Sequence, residues 1–296
     1  MSEVLILAGA TASGKTALAI EMAREFAAEI VGADSRQVYR GMPVGTAAPT
    51  PEQLAAIPHH LVGFLDPRVR YSAARYAQDA MDAIAAIHAR GKRAIVAGGT
   101  GFYIRALIGG VELAPQYDPA LRDRLAREAN VHAPDFLHGW LRARAPARAA
   151  ALAPNDTYRV LRALEVALTA KAPHERPPRR TLASGGDRWM LVFLDVPVAI
   201  LDERIARRTQ GMLENGLLEE AERVGDDAVA ASAVGYPQTN AYLRGWSTKA
   251  ELRTALERAT RRYARRQRTW FRSEPSAVWL APEAVRGAVR EKLGWL

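Results

Sequence analysis

Residues Gly9-Ala10-Thr11-Ala12-Ser13-Gly14-Lys15-Thr16 have the types and spacing to hold a phosphate chain. They fit G-x-x-x-x-G-K-[ST]. In that pattern glycines let backbone N–H groups converge on one anion, the lysine adds a mobile cation, and the final hydroxyl can ligate Mg²⁺. The bland alternative is a glycine turn ahead of a helix. The flanks favour the phosphate site: Val4–Ala8 is an apolar run of buried-strand type, and Ala17 to Phe26 repeats at helical period.

Other groups could complete a reaction centre. Asp34 ends the apolar run Ile30–Ala33, where a carboxylate can accept a proton, hold Mg²⁺ through water, or merely cap a helix. Gly98-Gly99-Thr100-Gly101 also joins a strand to a helix, offering more backbone donors and the Thr100 hydroxyl, or simply a tight turn. Arg204 and Arg208 are one helical turn apart after Asp195-Val196-Pro197. Guanidinium groups over a phosphate loop would stabilise a departing phosphate; otherwise they are solvated surface charges. The histidines lack metal-ligand spacing, His59-His60 read as structural, and no nucleophile triad is present.

These groups need a scaffold that brings strand ends together. Strands are expected at Val4–Ala8, Ile30–Ala33, His60–Leu65, Arg93–Ala97, Trp189–Asp195 and Val278–Leu280. Helices are expected after the phosphate loop, over Ser72 to Arg90, Phe102 to Ile108, Val198 to Gly211, Leu217 to about Val224 and about Thr248 to Phe271, with one more closing the chain. This alternation predicts an α/β fold with a P-loop NTPase-like parallel sheet core and ligand loops at the carboxyl ends of the strands. Residues 113–187 read as an arginine-rich helical insertion dividing the core into 1–112 and 188–296, with a mobile proline- and glycine-rich loop at Ala172 to Asp187.

The bulk charge suits a polyanionic partner or a merely solvated arginine-rich surface, and the positions of the arginines decide between them. The chain has 296 residues, 49% of them hydrophobic, and a net charge of +9. It has no cysteine, which removes disulfides, thiolate zinc sites and cysteine nucleophiles. No stretch is long enough to span a membrane and no signal peptide is recognised, so a cytoplasmic location is expected. The charge is concentrated. Arg258, Arg261, Arg262, Arg265, Arg266, Arg268 and Arg272 crowd the long helix, where Trp270 and Phe271 read as core. Such a face suits a phosphodiester backbone. A second basic helix runs from Tyr158 through Arg159 and Arg162 to Glu165.

Together these segments resemble the tRNA dimethylallyltransferase (tRNA isopentenyltransferase) family, of bacterial type, over nearly the whole chain. The phosphate loop alone is generic. The other carriers are Asp34-Ser35-Arg36-Gln37-Val38-Tyr39-Arg40-Gly41, Gly98–Gly101, Arg159 with Arg162-Ala163-Leu164-Glu165, Arg204 with Arg208 before Met212, Gly235-Tyr236, and Arg265-Arg266-Gln267 with Thr269-Trp270-Phe271-Arg272, of which the Asp34 segment and the Gln267–Arg272 ending are the specific ones. Ala10, Ala48, Ala145 and Pro237 depart from the family's usual residues.

The resemblance implies transfer of a dimethylallyl group from dimethylallyl diphosphate to the exocyclic amine of the adenosine beside the anticodon of tRNA. It implies Asp34 as proton acceptor and Thr11, Thr100 and Arg208 as further catalytic groups, with residues 9–16 holding the diphosphate and Thr16 the Mg²⁺ cofactor. The tRNA anticodon stem-loop would meet Asp34, Ser35, Arg36, Gln37, Thr100, Arg122, Tyr158, Arg159, Arg162, Gly235, Tyr236, Arg265, Arg266 and Gln267. A monomer is expected. The rival readings are a small-molecule or nucleotide kinase, which shares the phosphate loop, and a non-enzymatic RNA-binding module.

Overall fold

Val4, Leu5, Ile6, Leu7 and Ala8 are fully buried, on both faces of the strand that carries them. A strand without polar alternation belongs inside a parallel sheet covered on both sides. The computed structural model, which describes residues 3–111, 118–169 and 180–296, places it so. β1 (Glu3–Gly9) is followed by α1 (Lys15–Glu25), β2 (Ala28–Gly32), α2 (Pro51–Ala56), β3 (His59–His60), α3 (Ala73–Ala89), β4 (Arg93–Gly98) and α4 (Gly101–Ile108). Next come α5 (Pro119–Val131), α6 (Pro134–Arg144), α7 (Pro146–Ala150) and α8 (Thr157–Thr169). The sheet resumes with β5 (Arg188–Leu194), then α9 (Val198–Glu214), α10 (Leu217–Val224), α11 (Tyr236–Leu243), α12 (Lys249–Arg272), β6 (Ala277–Leu280) and α13 (Val285–Leu293).

The six strands are ordered β3-β2-β4-β1-β5-β6, and every pairing is parallel. The loops after β1, β2, β4 and β5 therefore open on one edge of the sheet, where α/β folds bind ligands. Gly98 permits the closest approach there: a Cβ on it would lie 2.1 Å from the Ala33 carbonyl oxygen.

The chain divides into two compact units, 1–111 with 180–296, and 112–179. The expected boundary at 187 moves back, because residues 180–187 belong to the first unit. Leu182 is fully buried and its N–H donates to the Leu107 carbonyl at 3.0 Å. The mobile loop expected at 172–187 is thus a bonded turn from 180 onward, and its first part lies outside the described residues. The third strand is also shorter than expected. Leu61 and Gly63 take φ of 59° and 61°, which no strand accommodates, so β3 ends at His60. His60 and Arg90 both bind the Glu29 carboxylate, consistent with a structural histidine.

The second unit has its own core of Leu125, Leu137, Leu141, Val160, Leu161 and Leu164. Inside it, Glu165 is only 2% exposed and takes both Arg122 (3.0 Å) and Arg162 (2.8 Å). A carboxylate buried there requires such partners.

Candidate active site

The phosphate loop is shaped by local sterics and then pinned from afar. A Cβ on Gly9 would meet Ser13 Oγ at 2.5 Å, and Gly14 starts α1 at φ 88°. Ala12 is left-handed without being glycine, at φ 67°. Strain of that kind persists when surrounding contacts hold it. Here Arg204 from α9 donates through Nη1 to the carbonyls of Ala12 (3.4 Å) and Ser13 (3.2 Å). Arg204 is therefore a brace, whereas Arg208, one turn on, reaches the cavity and donates to Thr11 Oγ1 at 3.3 Å.

A cavity of about 450 Å³ opens over this loop. Thr11, Lys15, Thr16, Asp34–Gln37, Arg208, Tyr263 and Arg266 all line it. Met212, Leu217, Val234 and Leu256 add an apolar wall. Burial lowers the Lys15 pKa to about 8, against the pull of the Asp34 carboxylate and with a further push from Arg208. Burial also lowers that of Arg208. Two partly buried cations close together form a site prepared for an anion.

Asp34 follows β2 and its Oδ1 accepts the Arg36 N–H at 2.9 Å, so a turn, not a helix cap, orients it. Thr100 stands behind this segment: its Oγ1 accepts the Ser35 N–H at 2.9 Å and donates to Ser35 Oγ at 3.3 Å. It does not line the cavity. These bonds let the Thr100 hydroxyl support the segment that carries Asp34. Gln37 Nε2 donates to the carbonyls of Thr46 and Ala47, holding the next loop as a cavity wall. That loop is anchored underneath by Glu220, which is fully buried and accepts from the N–H groups of Val44 and Gly45 and from Tyr236 Oη.

Several residues expected to touch RNA are engaged inside the protein. Tyr236 is fully buried on Glu220, and its ring fills the space beside Gly45 that a side chain there would need. Gln267 is 5% exposed, with both ends of its amide bonded to the loops of the sheet edge. Arg122 and Arg162 are committed to Glu165. Tyr158 (69% exposed) and Arg159 stay on the surface of the second unit, and Arg265 and Arg266 are exposed on α12 of the first. Gly235, at φ 107°, lines the cavity through its backbone. The departure Pro237 falls in the first turn of α11, where proline's missing N–H has no helical partner to lose.

Tyr263 and Glu220 escaped the sequence reading. Tyr263 is within hydrogen-bonding reach of Thr100 and feels the Asp34 charge, and its pKa is raised mainly by burial. The signal was present: Leu256, Thr260, Tyr263 and Gln267 follow helical spacing on the face opposite the exposed Arg258, Arg262 and Arg265.

A family model described as IPP transferase matches residues 37–274. The chain belongs to the IPP transferase family. It is therefore a prenyltransferase, and the kinase reading and the enzyme-less RNA-binding reading both fall away. Among its relatives is a tRNA dimethylallyltransferase of Anaeromyxobacter dehalogenans, 47% identical over 94% of this chain and 95% of the relative. One from Myxococcus xanthus is 44% identical over 94% and 92%. The crystal structure of the full-length tRNA isopentenylpyrophosphate transferase of Bacillus halodurans is 33% identical with a TM-score of 0.68, covering 99% of this chain and 98% of that one. A eukaryotic dimethylallyltransferase crystallised acting on tRNA aligns with a TM-score of 0.75 at 26% identity, covering 99% of this chain and 77% of its own. The phosphate loop and Asp34 precede the span of the family model, so their assignment rests on geometry and on these full-length likenesses.

Proposed function

We propose that this protein transfers a dimethylallyl group from dimethylallyl diphosphate to the exocyclic amine of the adenosine beside the anticodon in tRNA. The observation that carries it is one cavity lined by the phosphate loop, the Asp34 carboxylate, an apolar wall and arginine. That set fits the reactants. The diphosphate lies on the Thr11 hydroxyl and the later amides of the loop, with Lys15 and Arg208. The prenyl tail lies on Met212, Leu217 and Leu256. The adenine enters beside Ser35–Gln37, having left its stack.

The amine nitrogen forms a bond to the allylic C1 while the C1–O bond breaks and diphosphate departs. Lys15 and Arg208 hold the charge that grows on the leaving oxygens, and preorganised cations act more strongly here than in water. The amine is a weak nucleophile because its lone pair feeds the ring. Asp34 takes its proton as attack proceeds.

Mg²⁺ fits the site as a passenger on diphosphate. Among the described residues no cluster of three ligating side chains exists, and Mg²⁺ on phosphates needs only a protein oxygen or two and water. Thr16, with Asp34 through water, would hold it; bound, it supplies charge neutralisation on the diphosphate.

Exposed arginines on α12 and Tyr158 with Arg159 on the second unit contact the anticodon stem-loop. No described helix is long and apolar enough to cross a membrane. The protein works in the cytoplasm on tRNA, as a monomer.

The test is incubation with labelled dimethylallyl diphosphate, Mg²⁺ and bulk tRNA, followed by nucleoside analysis. Prenylated adenosine is expected. Consumption of the donor without label in RNA would refute the reading.

A further inference from the structure

Gln267 joins the two loops that carry the ends of this site. Its Oε1 accepts the Thr11 N–H at 2.8 Å and its Nε2 donates to the Gly99 carbonyl at 3.0 Å. The orientation is unique: the reversed amide would set N–H against N–H and O against O in a buried place, and neither conflict could be relieved by water. Gly99 leaves room for it, since a Cβ there would lie 2.2 Å from Nε2. The helix bearing Gln267 is itself clamped on the sheet edge. Arg268 donates to Asp195 Oδ1 and the Val196 carbonyl, and the Trp270 ring fills the space over Gly101.

We propose that Gln267 is a positioning residue of the transfer site, its carboxamide fixing the diphosphate cup in register with the Thr100–Ser35–Asp34 side of the cavity. The connection is continuous. Thr11 lies in the cup and bonds Gln267, Gln267 bonds Gly99, and Thr100 beside it bonds the Ser35 N–H next to Asp34. The Thr11 N–H thus faces the protein, and the ligand must be read by its hydroxyl and by later amides of the loop. This inference rests on the prenyl-transfer reading for its kinetic consequence, but the effect on the cup can be read without turnover.

Two substitutions separate a positioning role from bulk packing. Gln267→Met keeps the shape and removes both bonds. Gln267→Glu is a chemical switch. As a carboxylic acid it can accept from Thr11 and donate to Gly99, whereas as a carboxylate it has no proton for Gly99 and adds a negative charge beside the cup. Burial raises a carboxyl pKa toward the working range.

Measured on tRNA, kcat/KM for dimethylallyl diphosphate should fall about 10- to 100-fold in Gln267→Met, with tRNA affinity within about twofold of wild type. The Gln267→Glu to wild-type ratio should climb as pH falls from about 8 to about 5.5. Inorganic diphosphate, titrated calorimetrically, should show the same pH-dependent ratio. A ratio flat with pH for both turnover and diphosphate affinity overturns the proposal, and decides the matter even if Gln267→Met does not fold. A wild-type protein that binds diphosphate but never prenylates tRNA overturns the functional reading instead, while the diphosphate titration still tests Gln267.

Discussion

At the scale of single residues, the chemistry depends on charges held where water is scarce. Asp34→Ala should lower prenyl transfer by about 10²- to 10⁴-fold while leaving tRNA binding within about twofold, because a general base acts only as the proton moves. A filter-binding assay beside the transfer assay checks both halves. Lys15 gives a prediction with a definite sign. The unfolded chain keeps this proton up to its ordinary 10.5, but the folded one only to about 8. Between those values the unfolded state binds more protons, so this group makes the free protein more stable as pH rises from about 8 to 10.5, and its cost is fully present below about 8. Lys15→Met should remove that contribution and melt higher than wild type at pH 7. Denaturant curves across this pH range compare the two slopes.

At the scale of elements, α12 carries two jobs on two faces. Its buried side, through Gln267 and Phe271, braces the sheet edge, and its outer side presents Arg258, Arg262 and Arg265, which are exposed and form no ion pair among the described residues. Arg261 and Arg268, on the same helix, are instead tied to Asp202, Glu257 and Asp195. Of these two sets, the first is the one without ion pairs among the described residues. Replacing Arg258, Arg262 and Arg265 with alanine should weaken tRNA binding and lower the slope of log K against log salt by about one per side chain that meets a phosphate. Donor-side behaviour should stay unchanged. A second element-level dependence sits at Glu220, which secures the 44–47 loop from below. Glu220→Ala strands the buried Tyr236 hydroxyl and the N–H groups of Val44 and Gly45, and should cost about 3 kcal/mol in urea unfolding.

At the scale of the whole molecule, the parallel sheet dictates where function can lie. Because β1, β2, β4 and β5 all run the same way, segments distant in sequence meet at one edge without any long-range specification. The helical unit 112–179 keeps its own core and its own buried ion cluster, so it should fold as a unit. Glu165→Ala leaves Arg122 and Arg162 without their shared carboxylate and should open this unit selectively. Hydrogen exchange would show faster exchange over α5 to α8 and unchanged protection in β1 and β4.

The sequence by itself determined whatever depends on near neighbours. Glycine placement, the apolar run before residues 9–16 and the helical period after it specify a phosphate loop between β1 and α1, and strand-ending Asp34 and Thr100 can be read the same way. The arginine face of α12 was legible because a helix repeats every few residues. The tertiary structure alone decided which polar side chains are spent inside. Gln267 finds Thr11 across 256 residues, Tyr236 and Glu220 meet on a loop more than 170 residues earlier, and Arg122 reaches Glu165 from another helix. A polar residue written among exposed arginines looks available to RNA. Whether it is depends on what the fold places within hydrogen-bonding distance, since a buried donor or acceptor must be satisfied by the groups the folded chain brings to it.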